Sequence, residues 1–164
     1  MNKIKKITMV ILLAYMSIIT ISCDRMYYRD GRHSLITIEN NSKIHIFVYG
    51  SENYPDTTIN YPCPTWFDFR VVESGASGRV VESLLGSWWE ERFDLKNLQY
   101  LSVFIFEKTF LEPHILDENF IVTETMAIQR YDLTLEDLNS LNWTVPYPPD
   151  ERMKNMKMYP PYGK

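Results

Sequence analysis

Tyr100 to Phe106 reads Tyr-Leu-Ser-Val-Phe-Ile-Phe, apolar at every position but Ser102. A strand with one solvated face alternates apolar and polar residues, so an unbroken run of this length belongs to a strand covered on both faces. It is therefore expected at the centre of a packed core, and the other segments are read around it.

Period-two alternation recurs on the N-terminal side. Ile36 and Ile38 share one side of Leu35 to Glu39, and after Asn40-Asn41-Ser42 the same parity continues with Ile44, Ile46 and Val48. Two β-branched runs separated by an Asn-rich turn predict a hairpin. Residues 51–64, with Pro55, Pro62 and Pro64, predict a long loop or irregular edge. Phe67, Phe69 and Val71 lie on one face of the next strand, with Asp68 and Arg70 on the other. The motif Arg70-Val71-Val72-Glu73-Ser74 recurs as Arg79-Val80-Val81-Glu82-Ser83 around Gly75-Ala76-Ser77-Gly78. The simplest reading is a second hairpin. Its pairing stays open, because a four-residue loop sets Val72 opposite Val81 but Val71 opposite Glu82.

Toward the C-terminus, Ser87 to Phe93 predicts a helical turn capped by Ser87, and Met126 to Leu133 a further strand. Thr134 and Asp137 have capping-box spacing and Leu133 and Leu138 hydrophobic-staple spacing, which predicts a short helix from Leu135 to about Leu141. Asn142 to Val145 predicts a last strand, stopped by Pro146. Beyond it Pro148, Pro149, Pro160 and Pro161 bracket a Lys- and Met-containing stretch with no packing pattern, expected as a flexible or polyproline-like tail. Together these elements predict a mainly β fold, an antiparallel β-sandwich (Ig-like or similar) with one short helix near the C-terminal end.

The N-terminus has a different character. Lys3, Lys5 and Lys6 precede a nearly continuous apolar run from Ile7 to Ile21, the order of a secretory signal. The run is shorter than the roughly twenty residues of a membrane-spanning helix. It ends in Thr20-Ile21-Ser22-Cys23, which resembles the lipobox of bacterial lipoproteins in its last three places, with Thr20 where Leu is usual. That resemblance implies cleavage before Cys23 and acylation of its sulfur and amine, palmitate among the chains. At about 0.8 kcal/mol per buried methylene, several chains anchor a protein to a membrane without spanning it. The predicted organisation is a lipoprotein signal peptide at 1–22, the lipidated cysteine and tether at 23–32, the sandwich domain at 33–147 and the tail at 148–164. Extended at about 3.3–3.6 Å per residue, the tether reaches some 30 Å at most.

Removing Lys3, Lys5 and Lys6 with the leader takes the formal charge from −4 to −7. A net-acidic body without a basic run excludes nucleic acid as the expected partner, because such binding rests on neutralising phosphates. No Gly-rich loop stands between a strand and a helix, as a nucleotide cofactor site requires, and no cofactor is expected.

Cys63, in Tyr61-Pro62-Cys63-Pro64, could form a nucleophile pair with His33, His45 or His114 only if the fold joined them; a free or intermolecularly paired thiol is the preferred reading. The histidines lack metal-ligand spacing, and no metal site is expected. Gly75-Ala76-Ser77-Gly78 departs from the nucleophile-elbow pattern by one place. Glu90-Glu91 and Asp117-Glu118 are neighbours in sequence, whereas glycoside hydrolysis needs two acids facing each other across a cleft. No catalytic residue is assigned. Four Trp, 11 Tyr and eight Phe leave aromatic binding faces open as an alternative. Trp66, on the face of its strand that carries Asp68 and Arg70, is the candidate ligand or partner contact.

Three further stretches carry a resemblance: Ile36-Thr37-Ile38-Glu39-Asn40-Asn41-Ser42, Tyr54-Pro55-Asp56-Thr57, and Arg130-Tyr131-Asp132-Leu133-Thr134-Leu135-Glu136-Asp137-Leu138 with Asn142-Trp143 and Tyr147-Pro148-Pro149. Across most of the mature chain they resemble a family of small Bacteroidales-type lipoproteins. The resemblance implies an address rather than an activity: a cell-envelope location, lipid-anchored, at the outer membrane, with the periplasmic or surface face left open by Asp24. It also implies O-glycosylation at Thr57, within Asp56-Thr57-Thr58. The expected role is non-enzymatic, through contact with an envelope protein; a surface glycan-binding module is the alternative, and a hydrolase ranks third.

Overall fold

The computed structural model describes residues 31–56, 58–59, 61–62, 70–82, 88–114, 117 and 120–164. Contacts divide the chain into Met1–His33 and Ser34–Lys164, and every element described lies in the second unit. In chain order these are β1 (Leu35–Asn40), β2 (Ile46–Ser51), β3 (Tyr61–Pro62), β4 (Arg70–Val72), β5 (Ser77–Glu82), α1 (Trp89–Leu95), β6 (Leu101–Glu107), α2 (Lys108–Leu111), β7 (Ile121–Val122), β8 (Gln129–Leu133), α3 (Leu135–Ser140), β9 (Thr144–Tyr147) and β10 (Lys157–Tyr159). Two main sheets result, mostly antiparallel. One has five strands in the order β10-β8-β6-β2-β4 and the other three in the order β5-β1-β9; β3 and β7 pair separately.

The unbroken apolar run forms β6, the middle of the five-stranded sheet, and its two faces serve two cores. Val103 and Ile105 join Val48, Tyr131 and Leu133 of their own sheet and Ile36, Ile38 and Val145 of the other. Phe104 and Phe106 face the opposite way and pack with Phe47, Ile59, Leu111 and Val122. Neither face of β6 meets water, which is why its sequence does not alternate.

Neither expected hairpin forms. β1 pairs with β5 and β9 while β2 pairs with β4 and β6, so the Asn-rich turn carries the chain from one sheet to the other. The cause is Asn40, which is fully buried and acts as the joint. Its Nδ2 donates to the carbonyls of Ile44 (2.8 Å), Val72 (3.1 Å) and Glu73 (3.2 Å), and its Oδ1 accepts from the backbone N–H and hydroxyl of Ser42. A side chain that satisfies carbonyls from two segments fixes a corner where a hairpin would need ladder bonds.

The stretch between the two Arg-Val-Val-Glu repeats turns at the same place. Ala76 donates to Glu73 across a turn whose third residue, Gly75, has φ +70°, and Gly75 N–H donates to Asn40 O. β4 then remains in the five-stranded sheet while β5 joins the three-stranded one, with a bulge opposite Ile36 and Thr37. Val72, not Val71, turns inward.

Among the described residues three short helices form, where the sequence predicts one helix from Leu135 and a helical turn at Ser87 to Phe93. The predicted one is α3: Thr134 Oγ1 accepts from Asp137 N–H, the Asp137 carboxylate accepts from Thr134 N–H, and Leu133 and Leu138 are both fully buried. α1 starts after Trp88, which offers no side-chain cap, and the expected cap Ser87 lies outside the described residues. The strand after α3 does not stop at Pro146. β9 runs through it to Tyr147, which proline permits on a sheet edge because it lacks only the N–H.

Residues 148–164 are not a flexible tail. A 3-10 turn at Glu151–Met153 buries Met153 completely, and β10 completes the five-stranded sheet against β8 and buries Met158. Two spaced methionines gave no readable period, yet both belong to the main core.

Candidate functional site

The described surface is indented where β2 ends beside α1. In α1, Trp89 and Phe93 are four apart and turn inward, so Arg92 and Lys96, also four apart, lie on another face. The helix closes in a Schellman motif: Leu98 N–H donates to Phe93 O (2.9 Å) and Asn97 N–H to Asp94 O (3.2 Å), with Asn97 at φ 50°. Asn tolerates this left-handed conformation better than most side chains.

Glu52, just past β2, is 18% exposed and sits between the two helix cations. One carboxylate oxygen accepts from Lys96 Nζ at 2.6 Å, and the other pairs with the Arg92 guanidinium. On either side open two adjoining clefts. The first, of about 430 Å³, lies between Tyr49–Asn53 and the Arg92 and Lys96 side chains; the second, of about 550 Å³, between Tyr54–Pro55 and Lys96–Gln99. Glu52, Lys96 and Leu98 line both, making one polar groove. The side-chain amides of Asn53, Asn97 and Gln99 bond to no other described residue.

The wall of the second cleft is tied to a buried charge network. Strand parity puts Ser102, Arg130, Asp132, Lys157 and Tyr159 on one face of the five-stranded sheet, with Ser102 and Lys157 both in register with Asp132. Asp132 is fully buried; it accepts from Ser102 Oγ (2.9 Å) and faces Arg130 (3.2 Å) and Lys157 (3.7 Å). Lys157 also donates to the Tyr54 hydroxyl at 2.6 Å and lies over the Tyr54 and Tyr100 rings. The hydrogen bond to Tyr54, with the Asp132 carboxylate adding to it, raises the Lys157 pKa above the ordinary lysine value. The arrangement holds charged groups in place through several partners each.

Cys23, Thr57, Cys63 and Trp66 lie outside the described residues. Beside Thr57, Asp56 accepts from Thr58 N–H (3.0 Å), and hydrogen bonds from Thr58 hold its carboxyl below the usual pKa. The histidines take separate surroundings: His45 lies at the corner against Glu73 and Ser74, and His114 stacks on Phe120 with ring centroids 4.0 Å apart. Among the described residues no three His, Cys, Asp or Glu side chains lie together as a metal would require. Glu90 and Glu91 occupy the first turn of α1, and Gly75-Ala76-Ser77-Gly78 leads into strand β5, not a helix.

Sequence reasoning missed Glu52 and Asp132. The second had a signal, since Arg130 and Asp132 share parity on a predicted strand and a charged pair on one face needs a third partner. Glu52 had none, because it follows the strand with no period to place it. No family model, curated protein or solved structure matches the chain.

Proposed function

We propose that this chain is a non-enzymatic lipoprotein of the cell envelope, anchored through Cys23 at the outer membrane and acting by contact with an envelope protein. The observation that carries the reading is Thr20-Ile21-Ser22-Cys23 at the end of a lysine-led apolar run, shortly before the folded unit that starts at Ser34. Metabolic labelling with a palmitate analogue tests it. Cys23→Ala should lose the label and release the protein from membranes or leave the precursor uncleaved; undiminished labelling refutes the anchor.

The two sheets fit the layers of a sandwich, since Ile36, Ile38 and Val145 of one share a core with Val48, Val103 and Ile105 of the other. Thr57 is the proposed O-glycosylation site, and an intact mass showing only the lipid increment would remove it. A second reading, a surface glycan-binding module, is favoured by the polar groove beside Tyr54. Retention on a polysaccharide affinity gel, with Trp66→Ala as control, separates it from the first.

A further inference from the structure

We infer that the groove between β2 and α1 is a binding site for an acidic oligosaccharide, a run of sugar rings bearing carboxylates. This rests on the second reading, the glycan-binding module, and names a ligand class for it. Three observations converge there.

The charges lining the groove are two cations, Arg92 and Lys96, and one carboxylate, Glu52. The Glu52 pair leaves Lys96 half exposed, at 51%, on the wall shared by both clefts. An ammonium has three donors, and Glu52 engages one. The lining thus holds one more cation than carboxylate, and Lys96 is the cation with donors to spare, in a body whose net charge is −7 after the leader.

The neutral groups suit hydroxyl-rich rings. Asn53, Asn97 and Gln99 present amides that no other described residue engages. Each amide offers a donor beside an acceptor, the pairing that vicinal sugar hydroxyls require. The Schellman turn of α1 fixes the backbone that carries Asn97, so one of these groups is set on a rigid mount. Tyr54 adds an aromatic hydroxyl and ring edge to the second cleft, held in place by Tyr100 at 4.6 Å between centroids and by Lys157. For an apolar peptide side chain the lining offers little beyond Leu98, Pro55 and the tyrosines.

The test is affinity electrophoresis of the full chain in detergent through gels containing polygalacturonate, dextran or polyglutamate. Polygalacturonate should retard the protein most, with dextran having little effect and polyglutamate, which carries charge without ring hydroxyls, falling between. Lys96→Met should weaken retention by about tenfold, the range of a charge-assisted hydrogen bond. Asn97→Gly keeps the left-handed backbone and removes the amide, and should weaken it several-fold without unfolding the helix. Absence of retention by polygalacturonate, equal retention by polyglutamate, or insensitivity to both substitutions would overturn the assignment. Lipid labelling of Cys23 is read separately on the same protein, so either idea fails without the other.

Discussion

Asn40 is the polar position whose substitution tests the corner most directly. Its side chain is fully buried and serves five contacts at 2.7–3.2 Å, three donated to carbonyls and two accepted from Ser42. Asn40→Ala removes them all. A net hydrogen bond is worth about 1 kcal/mol, and an orphaned buried carbonyl costs about 1–3 kcal/mol. The Val72 carbonyl is the buried one, whereas those of Ile44 and Glu73 are partly buried and open to water. The expected loss is therefore about 2–4 kcal/mol. Asn40→Asp keeps the shape but turns an acceptor toward three carbonyls, so at neutral pH it should cost at least as much. Burial raises the pKa of the introduced carboxyl above its unfolded value. Its proton then bridges to a carbonyl at low pH, and the variant loses stability as pH rises through the folded pKa. Urea denaturation followed by fluorescence reads both effects, since Trp89 and Trp143 are buried. A loss below 0.5 kcal/mol for Asn40→Ala, or an Asn40→Asp variant more stable at pH 7 than at pH 5, would refute the corner as the determinant of sheet exchange.

Other outcomes follow from the same structure. Asp132→Ala removes the carboxylate shared by Ser102, Arg130 and Lys157 and should cost about 1–3 kcal/mol, measured by denaturant midpoint. Met153→Ala and Met158→Ala should each cost about 2–5 kcal/mol by thermal unfolding; a change near zero would mean that residues 148–164 do not belong to the core. Burial, with Tyr147 and Asp150 adding to it, pushes the Tyr131 hydroxyl pKa far up, while its O–H donates to Pro146 O at 3.1 Å. A raised folded pKa makes its contribution complete below the unfolded value of about 10 and progressively lost above it, by about 1.4 kcal/mol per pH unit. Tyr131→Phe should flatten that alkaline slope by one proton in urea titrations between pH 9 and 11.

The elements read from sequence were those with a local cause. β6 was visible because burial on both faces removes alternation, and α3 because Thr134, Asp137, Leu133 and Leu138 stand at fixed offsets. The connections were not visible. An Asn-Asn-Ser turn between alternating runs looks the same whether its first Asn faces solvent or bonds Val72 and Glu73, more than thirty residues away. β10 was hidden because its burial depends on Met158 alone, between Lys157 and Tyr159, with no partner strand in sequence to announce it. The groove was legible only in part: Arg92 and Lys96 have helical spacing, but α1 was expected to end at Phe93, which hid the Asn97 turn.

The middle strand of the three-stranded sheet is also the first of the described strands. β1 bonds to β5 some forty residues on, and Thr37 pairs with Thr144 more than a hundred residues on. Such a topology has a high contact order, which slows folding because distant ends must meet before any ladder forms. Ile36 and Ile38 thus wait without a local partner while later segments are made. Under the export proposed above, slow closure of β1 would keep the polypeptide extended enough to be threaded across a membrane.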